Sequence, residues 1–307
     1  MKNVQQIKTK DLTWVNITKP GKQEIEYLKK SFNFHDLDLK DCLPPIQRPK
    51  LFEHNDYIFM ILQFPVYNRK TREVTASEID FFINQNTLVT VHSNELLPLK
   101  ELFELCVKDE KSRAKYLIGN PGVLIYEILN HLLLYCFPML NHINLNIDNI
   151  EKQIFQGKEK AMVHEILIIK RNIINFRKTM QGHKRVIKKL IERAPRFFSV
   201  AKLGLYFHSL IAHTKEIWDS LENYKESIDA LHNTNESLIS FKTNEVIKTL
   251  TVFSVIVFPL TLIASIFGMN VVNIPLMENP YGFFYILSIM LALTLAMFIF
   301  FKRKKWL

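Results

Sequence analysis

Oxygen-bearing side chains recur at seven-residue spacing in the last third of the chain. Two interleaved sets can be numbered: Asp219, Glu226, Asn233, Ser240, Ile247, Ser254, Thr261 and Gly268, and Glu222, Asp229, Glu236, Thr243, Leu250, Val257 and Ala264. A face of this kind suits helices that surround a water-filled axis, where polar groups are tolerated even inside a membrane. The alternative is a solvated outer face of acids, with the hydroxyls bonded back to their own helix. Periodicity alone leaves both alternatives open.

Two apolar segments, 250–269 and 281–301, contain no charged residue. Each has the roughly 20 residues that an α-helix needs to cross the hydrocarbon layer of a bilayer, and we predict that both span a membrane. Basic residues lie before the first segment, at Lys242 and Lys248, and after the second, at 302–305. The connecting loop 270–280 has no basic residue and carries one acid, Glu278. By the positive-inside rule the pair is a hairpin with both ends in the cytoplasm.

A third apolar stretch, 116–140, differs from these two because it contains Glu127, Asn130 and His131. A charged group near the bilayer centre is costly. We therefore expect this stretch to form a buried helix of the soluble part.

The soluble part begins with mixed strand and helix signals. Segments 56–64 and 87–92 are rich in β-branched and aromatic residues, as strands are. Segments 23–33 and 96–108 place apolar residues at helical spacing. The region is therefore predicted to be an α/β domain.

The pattern from 122 to 248 is helical, with breaks predicted at Gly157, Gly182 and Pro195. The chain has no glycine or proline between Gly204 and Pro259, which predicts one long helix running from the soluble part into the first span. The predicted organisation is an α/β cytoplasmic domain at 1–120, a cytoplasmic helical region at 121–203, a stalk helix at 204–269 with its membrane part at about 250–269, an external loop at 270–280, a second span at 281–301 and a basic cytoplasmic end at 302–307.

Composition excludes several classes of protein. With 48% hydrophobic residues, the 307-residue chain is not disordered, and its three cysteines form no CxxC pair for a disulfide framework or a metal site. The chain lacks a GxxxxGK[ST] phosphate loop, an HExxH zinc motif and a Ser/His/Asp arrangement, so we predict that it is not an enzyme. The chain has a net charge of +10, but its basic C-terminus is explained by membrane anchoring, which removes much of the case for nucleic acid, so no nucleic-acid partner is predicted.

The end of the first span carries the sequence Gly268-Met269-Asn270, directly before the loop to the second span. With this motif the chain resembles the CorA-type magnesium and divalent metal ion transporter family. The wider resemblance lies in 243–248 (TNEVIK), 259–261 (PLT), 302–307 (KRKKWL), 48–50 (RPK), 56–59 (DYIF) and 88–92 (LVTVH). It covers essentially the whole chain and is most specific over 243–307.

The resemblance implies a funnel-shaped homopentamer in which each copy has an α/β cytoplasmic domain, a long helical stalk and a two-helix transmembrane hairpin. The first membrane helices line one central pore, whose lining is then expected to be Asn244, Ile247, Leu250, Ser254, Val257 and Thr261. The external mouth is formed by Gly268, Met269 and Asn270, with Asn270 as the residue that contacts the hydrated metal ion. The implied function is channel-like Mg²⁺ uptake, driven by the membrane potential. The chain is then a multi-pass protein of the plasma (inner) membrane, with the lipid bilayer and its own copies as partners and both termini in the cytoplasm.

Members of such a family commonly sense cytoplasmic Mg²⁺ through acids between neighbouring domains. The candidates for cytoplasmic cation binding are Asp219, Glu222, Glu226 and Asp229, although no short motif carries the family's sensor sites onto them. In the external loop, Glu278 could raise the local cation concentration; an incidental solvated acid is an equal alternative.

Ion identity stays open at this point, because Co²⁺, Ni²⁺ and Zn²⁺ can accompany or replace Mg²⁺ in proteins of this fold. One alternative function is therefore a Zn²⁺, Co²⁺ or Ni²⁺ transporter. A second alternative, from another class, is a membrane scaffold without transport, which a dry, tightly packed seam or a monomeric state would favour.

Overall fold

The computed structural model describes residues 3–198, 203–269, 275–276 and 279–306. The chain divides into two compact units, Met1–His232 and Asn233–Leu307. The first unit contains a six-stranded sheet and most of the helices. The second unit consists of helical segments.

The strands of the sheet are β1 (Val4–Lys8), β2 (Thr13–Thr18), β3 (Lys50–Glu53), β4 (Ile58–Asn68), β5 (Glu73–Ile83) and β6 (Thr87–His92). Their spatial order is β1-β2-β6-β5-β4-β3. Neighbouring strands are antiparallel except β2 and β6, which run parallel. The predicted strand at 87–92 is confirmed, and the one predicted at 56–64 is found two residues later and extends to Asn68.

The helices are α1 (Lys22–Phe32), α2 (Asp36–Asp41), α3 (Leu97–Lys108), α4 (Glu110–Tyr116), α5 (Pro121–Leu134), α6 (Cys136–Phe155), α7 (Glu159–Met180), α8 (His183–Arg193), α9 (Gly204–Phe267) and α10 (Gly282–Arg303), with a 3₁₀ turn at Ala194–Arg196. The helices predicted near 23–33 and 96–108 are confirmed as α1 and α3. The long helix predicted from Gly204 is confirmed as α9, and Pro259 lies inside it.

The helical breaks follow local chemistry. Those predicted at Gly157 and Gly182 are present between α6 and α7 and between α7 and α8. Helix α5 begins after Asn120, whose side-chain oxygen accepts the N–H of Gly122 at 2.9 Å, and proline occupies its first turn. A break at Tyr135, between α5 and α6, was not predicted.

Side chains of the sheet alternate between two packed faces, which explains why its central strands are buried on both sides, whereas the edge strands β1 and β3 are partly exposed. On one face, Val15 and Ile61 join a core that includes Leu28 of α1 and Leu39 of α2. On the opposite face, Trp14 packs edge-on against Phe103 of α3, with ring centroids 4.8 Å apart. Phe64 makes a similar contact with His183 of α8. The first unit is therefore an α/β domain with helices on both sides of its sheet.

Candidate ion pathway and cation-binding acids

Three helical stretches are long and apolar enough to cross a membrane: Pro121–Phe155, Gly204–Phe267 and Gly282–Arg303. They differ in burial. Within the most apolar part of each, 44% of the first stretch is buried inside the protein, against 6% of the second and 0% of the third. The first stretch is α5 and α6, whose Ile125, Leu129 and Ile143 belong to the core of the first unit. The second stretch from Phe241 onward and the third along its length expose large apolar side chains, as expected of helices that face lipid or one another in a bilayer.

Six residues of α9 are predicted to line a pore, and all lie on one uninterrupted helix: Asn244, Ile247, Leu250, Ser254, Val257 and Thr261. None of them is buried within the chain. Two apolar members, Ile247 and Leu250, are 54% and 63% exposed. The face is thus open to solvent, lipid or another copy of the chain.

The hydroxyls of this face are hydrogen-bonded to their own helix. Ser254 Oγ donates to the carbonyl of Leu250 at 2.9 Å, and Thr261 Oγ1 donates to the carbonyl of Val257 at 3.0 Å. This is the back-bonded arrangement that periodicity could not decide. It uses the hydroxyl proton and leaves the oxygen lone pairs directed away from the backbone. Such an oxygen is an acceptor, which suits a hydrated cation because the outer surface of its water shell presents hydrogen atoms.

The predicted mouth lies at the end of α9. The N–H of Gly268 donates to the carbonyls of Ala264 and Ser265 at 3.0 and 3.2 Å, and the N–H of Met269 donates to Ile266 at 3.3 Å. A Cβ at Gly268 would lie 3.1 Å from the carbonyl oxygen of Ala264, so glycine allows the chain to leave the helix tightly. The predicted metal contact Asn270 and the external acid Glu278 lie outside the described residues.

The four acids predicted to bind cytoplasmic cations fall into two pairs. Glu222 forms an ion pair with Arg177 of α7 at 2.5 Å, and Asp229 forms one with Lys170 of α7 at 2.7 Å. The guanidinium of Arg177 also lies 5.0 Å from the ring centre of Trp218. The charges of Glu222 and Asp229 are therefore balanced within the chain.

The other two acids, Asp219 and Glu226, are exposed on α9. Over the part of the chain that the structure describes, no group of three or more His, Cys, Asp or Glu side chains is placed to hold a metal ion. A complete cation site built on Asp219 or Glu226 thus requires ligands from outside one chain or from water. The sequence did not predict the ion pairs made by Arg177 and Lys170, because it does not show which bases on one amphipathic helix contact which acids on another.

Buried titratable groups of the sheet have displaced pKa values. Burial raises the pKa of Glu78 to about 7 and that of the neighbouring Asp80 well above its usual range, to which the Glu78 charge also contributes. Burial lowers the pKa of His92 and of His183 to about 4. All four groups lie in the first unit. Folding favours the protonated, neutral forms of Glu78 and Asp80 and the deprotonated, neutral forms of His92 and His183.

The two ends of the membrane hairpin meet in the second unit. The ammonium group of Lys248, before the first span, donates to the backbone carbonyl of Lys305, after the second span, at 2.8 Å. The ends of the two spans that carry the basic residues are therefore adjacent, as a hairpin requires.

Comparisons with known proteins agree with this architecture. A family model described as "CorA-like Mg2+ transporter protein" matches residues 9–303. The cobalt/magnesium transport protein CorA of Thermotoga maritima is 28% identical to the chain over 301 residues, which cover 96% of this chain and 83% of that protein.

Solved structures show the same fold at lower identity. The complete CorA magnesium transporter of Methanocaldococcus jannaschii matches with a TM-score of 0.84 at 23% identity, over 98% of this chain and 94% of that one. The cytoplasmic domain of ZntB from Vibrio parahaemolyticus matches with a TM-score of 0.58 at 12% identity, over 76% of this chain and 89% of that one.

Proposed function

Because the chain belongs to the family of CorA-like Mg²⁺ transporter proteins, we propose that it moves divalent cations, Mg²⁺ foremost, across a membrane. The relative from Thermotoga maritima bears the name of a cobalt/magnesium transport protein, so Co²⁺ is the second expected ion. The proposed membrane is the plasma (inner) membrane. The contact between Lys248 and Lys305 supports a hairpin whose basic ends share one side, the cytoplasm under the positive-inside rule.

The observation that carries the proposal is the match of the CorA-like family model to residues 9–303, and the exposed, charge-free membrane part of α9 supports the same route. Mg²⁺ prefers octahedral oxygen coordination and loses water reluctantly, so a route that it crosses with its waters in place needs acceptors rather than donors. Ser254 and Thr261 present such acceptors within a segment that contains no charged residue. Neutral acceptors hold a hydrated ion weakly enough to release it, as conduction demands.

The proposed route is a central pore surrounded by α9 helices from five copies of the chain. Asn244 lies at its inner end, and Ile247, Leu250 and Val257 contribute apolar rings that close the pore to water when it is narrow. At the outer end Gly268 and Met269 lead to Asn270, the proposed ligand for the hydrated ion, with Glu278 nearby in the loop. A single helix cannot enclose a pore, so the exposed face of α9 supports an oligomer.

Membrane potential is the proposed driving force. It contributes about 2.3 kcal/mol per unit charge per 100 mV, hence about 4.6 kcal/mol for a divalent ion, and at about 1.4 kcal/mol per tenfold change this supports an inward gradient on the order of a thousandfold. A passive route of this kind needs no nucleotide hydrolysis.

We infer that Asp219 and Glu226 are the acids available to sense cytoplasmic cations, since Glu222 and Asp229 are engaged by Arg177 and Lys170. D219N/E226Q is expected to weaken the inhibition of flux by internal Mg²⁺, whereas E222Q/D229N, which removes the same charge, is expected to leave it nearly intact. Equal inhibition curves for the two double variants would remove Asp219 and Glu226 from this role.

The proposed function is tested by uptake of Mg²⁺, Co²⁺, Ni²⁺ and Zn²⁺ into proteoliposomes containing wild type or Asn270→Ala. Mg²⁺ entry that depends on an inside-negative potential and is lost in the variant is the expected result. Entry of Zn²⁺ without Mg²⁺ would make the chain a zinc transporter of the same fold. No entry of any ion, by a preparation of verified oligomeric state at low internal Mg²⁺, would leave a membrane scaffold as the function.

A further inference from the structure

A cavity of about 930 Å³ lies in the first unit, and none of the proposed pore residues is among its described lining residues. It opens where β4 and β5 meet the last turns of α7 and the first turn of α8. Gln63 of β4 and Thr75 of β5 form part of its wall, and Ile46 and Arg48, which precede β3, form another part. Its volume is within the range of sites that take small molecules.

The cavity is lined by three cationic side chains, those of Arg48, Lys178 and Arg185, and by no carboxylate among its described lining residues. None of these three cations takes part in the ion pairs formed within residues 3–198 and 203–269. Arg185 reaches the carbonyl of Pro49 at 3.5 Å, a long contact that leaves most of its donors available.

Other arginines of the first unit form ion pairs with carboxylates. Arg72 pairs with Glu165 at 2.5 Å, and Arg171 pairs with Glu73 at 2.7 Å. Both pairs lie at the same end of β5 as the cavity, since Glu73 is the first residue of that strand. The fold thus neutralises bases in this region but leaves the three cavity cations without an anionic partner among the described residues.

The N-terminal end of α8 adds to the positive potential. Gln181 and Gly182 line the cavity, and no side chain of the described residues caps the helix, so its first N–H groups are available to an anion. A Cβ at Gly182 would lie only 2.6 Å from Cβ of Pro49. Glycine therefore lets the segment that carries Arg48 lie directly against the helix end, which brings Arg48 into the same wall as Arg185.

A second, shallower cavity of about 600 Å³ continues along α8 and shares Gln181 and Arg185 with the first. Lys184, Lys188 and Lys189 lie along it, and Glu192 is the acid among its described lining residues. A ligand with several negative groups can therefore extend from one cavity into the other. A single monovalent anion would leave most of these cations unbalanced.

We propose that the cavity between Arg48, Lys178, Arg185 and the start of α8 binds a small molecule with two or more phosphate groups. Phosphate oxygens accept bidentate hydrogen bonds from arginine and suit a helix N-terminus. The concave shape and a volume of about 930 Å³ suit a nucleotide or an inorganic polyphosphate better than a nucleic acid or a lipid surface. This site is independent of the proposed transport function, because it shares no residue with the predicted pore.

The test uses the full chain, purified in detergent without divalent cations, and isothermal titration calorimetry with ATP, tripolyphosphate, AMP and inorganic phosphate. We expect ATP or tripolyphosphate to bind at least tenfold more tightly than AMP or phosphate. Equal affinity for ATP and tripolyphosphate identifies the phosphate chain alone as the ligand. Tighter binding of ATP shows that the nucleoside is also recognised.

The cavity variant is R48Q/K178Q/R185Q, and its matched control is K8Q/K22Q/K30Q, which removes the same charge from exposed lysines that do not line the cavity. The cavity variant should lose about tenfold or more in affinity, while the control changes by less than about twofold. Both must keep the wild-type melting temperature; single substitutions replace the triple variant where it does not. No binding of ATP or tripolyphosphate at about 1 mM, or equal losses of affinity in both variants, would overturn the proposal.

Discussion

Thr261→Val isolates the proposed role of the pore hydroxyls. Valine keeps the branched shape of threonine and removes only the oxygen that is offered to the water shell of the ion. The carbonyl of Val257, which now accepts the hydroxyl at 3.0 Å, lies four residues before Thr261 and can keep the helical N–H bond from its backbone. The substitution therefore changes the acceptor without leaving an unpaired backbone group.

The expected loss follows from the hydrogen bonds removed. A hydrogen bond contributes about 1 kcal/mol net, and a rate falls about tenfold for each 1.4 kcal/mol added to its barrier. If two waters of one ion are held at this level by different copies of the chain, the barrier rises by about 2 kcal/mol and flux falls about thirtyfold. Loss of a single bond gives about fivefold.

The assay is initial Mg²⁺ entry into proteoliposomes at an imposed potential of about 100 mV, inside negative. Thr249→Val is the matched control on the same helix, because Thr249 donates to its own i−4 carbonyl at 2.9 Å but lies about 120° around α9 from Thr261. Thr294→Val provides a control in α10, with a similar bond at 2.8 Å. Flux by Thr261→Val within about twofold of wild type, or an equal loss in Thr249→Val, would refute the reasoning.

Three further predictions concern the gate, the ion pairs and pH. Leu250→Ser should raise Mg²⁺ leak at high internal Mg²⁺, measured in the same vesicles, because a polar ring keeps water in a narrow pore. Glu222→Gln should lower the free energy of unfolding in urea by about 1 kcal/mol, since it leaves the half-buried Arg177 without its partner. Glu78→Gln should gain melting temperature relative to wild type as pH rises from about 4.5 to about 7, because the raised pKa of Glu78 makes folding take up a proton in that window.

Elements whose apolar residues follow a regular period could be predicted from the sequence. The absence of glycine and proline between Gly204 and Pro259 is a local property of the sequence, and it predicted α9. Strand β5 was missed because Glu73, Glu78 and Asp80 interrupt its apolar pattern, and a buried acid such as Asp80 is tolerated only through contacts that the sequence does not display. Strand β4 continues beyond Pro65 because β3 pairs with it only as far as Ile61, so the missing N–H costs no hydrogen bond to β3.

The candidate site was predictable to the same degree. A helix face can be numbered from its sequence, so Ser254 and Thr261 were found together. Which group each hydroxyl donates to depends on the backbone, and only the structure shows that it is the carbonyl four residues earlier. The pairing of Glu222 with Arg177 joins residues from different helices, and the basic cavity beside α8 joins segments near Arg48 and Lys178, which are distant in the chain. Both arise from tertiary packing, for which the single sequence gave no signal.

Pro259 has a mechanical consequence for α9. It lacks the N–H that would bond to the carbonyl of Val255, so the helix is held by one backbone hydrogen bond fewer between the turn of Ser254 and the turn of Thr261. A helix bends most easily where its ladder is interrupted. In the proposed pore, Ser254 and Thr261 then belong to stiff helical segments joined by a more flexible one, and the pore diameter at Thr261 can change while the diameter at Ser254 stays fixed.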